Sequence, residues 1–164
     1  MRVLVTAATK YGATTEIAQA IAETLGERGL EPTVLPPEQV KGVEGYDAVV
    51  LGSAVYAGHW LGPARELVER HAGALADRPV WLFSSGPVGD PPKPEEDPVG
   101  VADLLAVTGA RDHRVLAGKL VRKQLSFPER AIVSALRVPE GDFRDWTEIR
   151  QWAAQIADAL GARS

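Results

Sequence analysis

Three short stretches, each following a run of apolar β-formers, carry most of the residues suited to holding a polar ligand. The first reads Thr6-Ala7-Ala8-Thr9-Lys10-Tyr11-Gly12-Ala13-Thr14-Thr15 and passes straight into a helical pattern. Hydroxyls, a glycine and the start of a helix make an anion site. Backbone N–H groups converge there, the helix dipole adds partial positive charge, and threonines donate to phosphate oxygens. The stretch lacks Gly-Lys-Ser/Thr, so it is not a Walker loop. With only Gly12 it is not the three-glycine dinucleotide turn. Two readings stand: a phosphate cradle, or Thr9 and Thr14 serving only as helix caps.

The second stretch is Gly52-Ser53-Ala54-Val55-Tyr56-Ala57-Gly58-His59-Trp60. Aromatics among small residues suit a planar ligand, which stacks on a ring while backbone groups reach its polar edge. Tyr56 is the expected stacking residue. Trp60, nearer the following helix, is expected to be structural, and His59 to be an ordinary polar residue. The third stretch, Ser84-Ser85-Gly86-Pro87-Val88-Gly89-Asp90, leads into the stiff acidic run Pro91-Pro92-Lys93-Pro94-Glu95-Glu96-Asp97-Pro98. Proline restricts that connection. Long connections in small domains are often functional, whereas its acidic half reads as a solvated surface excursion.

These stretches must be positioned by the elements before them. Apolar runs at Arg2–Thr6, Thr33–Leu35, Asp47–Leu51, Val80–Phe83 and His113–Ala117 read as strands. Between them, Ile17, Ala18, Ile21, Ala22 and Leu25 recur at helical spacing. Pro63 opens a helix running through Leu75, and Val99–Val107 is a shorter one. The last helix begins near Asp145 with the spacing of a capping box to Glu148, buries Trp146, Ile149, Trp152, Ala153, Ile156 and Leu160, and ends at Gly161. Alternating elements with wholly apolar strands imply an α/β chain: a three-layer, doubly wound, five-stranded parallel sheet. Ligands in that architecture sit at the carboxyl ends of the strands, where the three stretches fall.

The 164 residues fit one domain, 1–164, with 45% hydrophobic and 24% charged residues. No cysteine is present, so thiolate zinc sites, iron–sulfur clusters, disulfides and cysteine nucleophiles are excluded, which is compatible with a cytoplasmic location. No apolar run approaches the length of a membrane span, and no signal peptide is expected before the opening strand. A net charge of −4 argues against nucleic-acid binding. Scattered His59, His71 and His113 give no metal spacing, and no serine sits in a nucleophile elbow.

At the three stretches the sequence resembles the flavodoxins. Thr9-Lys10-Tyr11-Gly12-Ala13-Thr14 is similar to their phosphate loop, Ser/Thr-x-Thr-Gly-x-Thr. Gly52-Ser53-Ala54-Val55-Tyr56-Ala57-Gly58 resembles their Gly-x-Ser-x-aromatic-x-Gly flavin loop. In detail it looks closest to the branch containing the menaquinone-dependent protoporphyrinogen oxidases, through Tyr46-Asp47 before the third strand and Gly58-His59 after it. The resemblance implies strand order 2-1-3-4-5 and FMN as cofactor. It places the phosphate on Thr9–Thr14, the ring on Tyr56, and contacts on Ser53–Gly58 and Ser84, Ser85, Gly86, Pro87, Val88 and Gly89. It implies an electron carrier between a reductase and an acceptor. The alternatives are a flavin-dependent dehydrogenase of a flat hydrophobic substrate with a quinone acceptor, or a flavin-free partner-binding module. Receiver-type signalling is excluded, because Thr6-Ala7-Ala8 and Gly52-Ser53 stand where acidic residues are required.

Two departures accompany it. Tyr11 replaces a hydroxyl-bearing Thr, and the third stretch lacks an aromatic to cover the flavin. One segment also differs in character. About residues 119–140 form a basic, amphipathic insert: Lys119, Arg122, Lys123, Arg130 and Arg137 face only Glu129, leaving +4 between Lys119 and Val138. It reads either as a weak dock for a membrane surface, lipophilic substrate or redox partner, or as a helix covering the sheet with its basic residues in solvent. The second is preferred, since amphipathic helices in globular domains mostly cover a core.

Overall fold

Strand order and layering follow from where the apolar side chains go. The computed structural model describes residues 1–56, 58–86, 98, 100–135 and 140–161. Five parallel strands form the sheet: β1 (Arg2–Ala8), β2 (Glu31–Leu35), β3 (Ala48–Tyr56), β5 (Val80–Ser85) and β6 (Asp112–Leu116). Their order is β2-β1-β3-β5-β6, which is the expected 2-1-3-4-5 once the short β4 (His59–Trp60) is set aside as an antiparallel partner of β3.

Alternate side chains of each strand enter opposite cores. Val3, Val5 and Ala7 join α1 (Ala13–Glu27) and α5 (Trp146–Ala159) on one face. Leu4 and Ala8 join α2 (Gly62–Ala76) and the start of α3 (Val101–Thr108) on the other. The expected stripe of the last helix is there, with Ile149, Trp152, Ala153 and Ile156 buried, and Asp145 accepts the Glu148 N–H at 3.0 Å as its cap. Phe83 and Trp152 meet edge-on, 6.0 Å apart.

Two strands run further than their apolar cores suggest. β1 continues past Thr6 through Ala7 and Ala8, and β3 takes in Ser53–Tyr56, so most of the second ligand stretch is strand. The extension is possible because β3 changes partner. Ser53 pairs with Ala8 and Ser84, Ala54 with Ser85, and then Val55 and Tyr56 turn back onto Trp60 and His59. Gly58, at φ 80, makes that turn. Gly52 serves packing: a Cβ there would lie 2.2 Å from Phe83 Cζ.

The insert leaves and rejoins the fold through a two-stranded ribbon, β7 (Lys119–Leu120) with β8 (Gly141–Asp142). Between them stands α4 (Phe127–Ala135). The side chains of Ile132 and Val133, and residues 136–139, on which the expected apolar face of this segment falls, lie outside the described residues. Among the described side chains of α4 only Glu129 is buried, and Phe127 is 83% exposed.

Candidate functional site

The stretch after β1 opens α1 with a left-handed residue. Gly12 has φ 91 and occupies the N-cap, where it provides no side chain to satisfy the amides that follow. Its own N–H donates to Thr9 Oγ1 at 2.9 Å, so Thr9 shapes the turn rather than capping the helix. The next amides lie beyond the reach of any intrahelical carbonyl, and the space a Cβ of Gly12 would enter is open for 4 Å. Orphan donors, a helix dipole and open space are what a terminal phosphate needs, so these residues fit the phosphate of FMN. Thr14 is buried in the first turn of α1.

Tyr56, at the end of the neighbouring strand, keeps 37% of its surface exposed. Lys10 reaches across from the first loop and holds its ammonium 4.1 Å from the Tyr56 ring centroid. Loop and ring therefore share one corner at the carboxyl ends of β1 and β3. Burial, followed by the charge of Glu129, holds the Tyr56 phenol protonated above its usual range.

The expected serines have structural duties. Ser53 Oγ accepts the Leu61 N–H at 2.9 Å and donates to the Ala54 carbonyl at 2.7 Å. Ser84 Oγ accepts from Trp60 Nε1 at 2.7 Å and bonds His113 Nε2 at 2.7 Å. Trp60 is thereby fixed in the core, as its position suggested. Ser85 is buried beside them. Gly86 and Gly118 come so close that a Cβ on Gly118 would lie 3.0 Å from Gly86 Cα, which brings the start of the third stretch against Val55. Ala57, Pro87, Val88 and Gly89, with the acidic run after them as far as Asp97, lie outside the described residues, as does Arg137.

Two contributors escaped the sequence. Glu129, the one acid between Lys119 and Val138, turns inward. Its carboxylate accepts from Lys10 Nζ at 3.0 Å and from the Tyr11 hydroxyl at 2.9 and 2.7 Å. It also forms a reciprocal capping box with Ser126, both bonds at 3.4 Å. The Ser126-Phe127-Pro128-Glu129 spacing could have located that helix start; nothing local announces the contact with residues 118 and 119 positions away. Burial alone would push the Glu129 carboxyl up. Bonds from Tyr11, Ser126 and Lys10 outweigh it and hold the group at about 2. The same bond raises Lys10.

Arg144 is the second. Its side chain is 4% exposed and pairs with Asp142 at 2.7 Å. It also donates to the Ala13 carbonyl at 3.2 Å and to Glu16 at 3.0 Å, tying β8 to the first turn of α1.

A profile of the flavodoxin domain matches residues 4–147, running through the insert. The chain belongs to the flavodoxin domain family. An FMN-binding redox role, expected from the loops, follows from that membership. Protoporphyrinogen IX dehydrogenase [quinone] of Escherichia coli K12 is 26% identical over 172 residues, covering 96% of this flavodoxin domain and 95% of that protein. Among solved structures, a flavodoxin from the domain Archaea superposes with TM-score 0.66 at 16% identity, over 98% of this chain and 99% of the other. Oxidised flavodoxin 1 of Bacillus cereus gives 0.62 at 15%, over 96% and 98%. At these identities the structures speak for the fold. Among the described residues no helix is long and apolar enough to cross a membrane, and no cluster of acidic and histidine side chains could hold a metal ion.

Proposed function

We infer that this flavodoxin-family chain carries electrons between a reductase and an acceptor through FMN. The observation that carries the reading is the shared corner at the ends of β1 and β3, where the open N-terminus of α1 meets the half-exposed ring of Tyr56. In this reading Gly12 and the amides of Ala13 and Thr14 hold the phosphate, Thr9 fixes the turn, and Tyr56 supports the ring. Ser53, Ala54, Ser84, Ser85 and Gly86 supply the strand ends against which it is oriented. FMN, when bound, supplies the one- and two-electron chemistry; the chain supplies position, exclusion of water and the neighbouring charge.

One observation favours a second reading. The E. coli relative, a quinone-linked protoporphyrinogen IX dehydrogenase, aligns over 96% of this chain, and the matched family domain includes the insert. A flat hydrophobic substrate with a quinone acceptor would then meet the flavin beside the insert, where Phe127, Lys123 and Arg130 are exposed. The same face supports weak contact with an anionic membrane surface, and the cysteine-free composition supports a cytoplasmic setting. Anaerobic reduction of the FMN-loaded protein separates the readings. Fast reduction by a flavodoxin reductase and none by a porphyrinogen supports the carrier; the reverse supports the dehydrogenase. Co-sedimentation with anionic liposomes at low salt tests the surface contact, and absence of binding removes it.

A further inference from the structure

The insert and the phosphate loop are held together at two points. At its base, Asp142 of the ribbon holds Arg144, whose guanidinium donates to the Ala13 carbonyl and to Glu16 in the first turn of α1. At its tip, Glu129 takes Lys10 and Tyr11 from the middle of the same loop. The stretch Lys10–Ala13 is therefore gripped from both sides by a segment more than a hundred residues further along.

Among the described side chains of α4, Glu129 is the buried one. The others face solvent. Burying a carboxylate is costly unless it is paired and hydrogen-bonded. A buried carboxylate satisfied by the two residues just before Gly12 fixes where that loop stands. Side chains on both sides of Gly12 then cannot drift, and the orphan amides of α1 stay converged.

We propose that the insert clamps the phosphate loop and that Glu129 is the positioning residue through which it sets how long FMN is held. This rests on the FMN reading above and concerns only the phosphate end of the ligand. It separates by a simple comparison, since riboflavin has the same ring and no phosphate.

The test uses the full chain and follows flavin fluorescence during binding and release of FMN and of riboflavin, for wild type, Glu129→Ala, Glu129→Gln and Lys10→Met. Losing hydrogen bonds to a charged group predicts that Glu129→Ala releases FMN roughly 10-fold faster, with riboflavin release unchanged. Glu129→Gln, which keeps the shape and one acceptor, falls between. Lys10→Met added to Glu129→Ala brings little further loss specific to FMN, since the ion pair is already gone, while loss of the Lys10 contact with the Tyr56 ring affects both flavins alike. By reciprocity, FMN but not riboflavin slows amide exchange in residues 126–130. Equal acceleration for both flavins overturns the proposal, as does unchanged FMN release. Tighter FMN binding by Glu129→Gln also overturns it, showing that the carboxylate competes with phosphate. Should Glu129→Ala fail to fold, Glu129→Gln carries the same comparison. Wild-type protein that takes up neither flavin defeats the FMN reading itself, a distinct result.

Discussion

The ammonium of Lys10 lies 4.1 Å from the centre of the Tyr56 ring while bonding the Glu129 carboxylate at 3.0 Å. A residue of the first loop thus touches both the aromatic platform on the next strand and the helix of the insert. Cation–π contact and ion pair together fix the corner at which loop and platform meet. The loop, the platform and the insert behave as one unit, so changes in any of them should be read in flavin binding.

Gly12 is the first such change. Its φ of 91 is unfavourable for any residue with a Cβ, although nothing stands in the way of the Cβ itself. Gly12→Ala should cost about 1–2 kcal/mol of stability from backbone strain alone. It should also weaken FMN by a larger factor than riboflavin, because the amides of α1 tilt away. Thermal unfolding and paired titrations check this; equal weakening of the two flavins contradicts it.

Acid sensitivity follows from Glu129. Its carboxyl sits at about 2 in the folded chain and returns to about 4.3 when unfolded. The folded state therefore binds fewer protons over that interval. The stabilisation is full above about pH 5 and is lost as pH falls towards 2. Wild-type Tm should drop more steeply than that of Glu129→Gln between about pH 5 and pH 3. Parallel curves would show that the buried carboxylate is not coupled to folding.

Gly52 tests the scaffold. A methyl group there meets the Phe83 ring at 2.2 Å, and Phe83 is itself held by Trp152. Gly52→Ala should destabilise by about 1–3 kcal/mol from overpacking, and Phe83→Leu in the same chain should recover part of the loss. Denaturant unfolding gives both values; an additive double variant would contradict the contact.

Much of this is legible in the sequence. Leu4, Val5, Val49, Val50 and Leu82 announce buried strands because a parallel sheet covered on both faces leaves them no polar alternation. The Ile17–Leu25 and Ile149–Ile156 stripes announce the helices of one face. Strand ends were harder to see. Ser53 and Ala54 are small and Tyr56 is amphipathic, so nothing local separates a strand that changes partner from a loop. The position of Gly12 and Tyr56 was readable from loop type, while their bridging by Lys10 was not. Glu129 and Arg144 were invisible for a plain reason: their partners in the first loop and α1 lie 118–131 positions away, and a lone acid in a basic stretch looks solvated until the chain folds back.

The shared corner is tested most directly by titrating flavin-free protein, wild type and Tyr56→Ala, with FMN and following quenching of flavin fluorescence. One equivalent should be taken up by the wild type. Tyr56→Ala should keep that stoichiometry and bind about 10-fold more weakly, the loss of roughly 1.4 kcal/mol of ring contact. A wild type that leaves flavin fluorescence unquenched, or a Tyr56→Ala variant that binds FMN as tightly, would contradict the account.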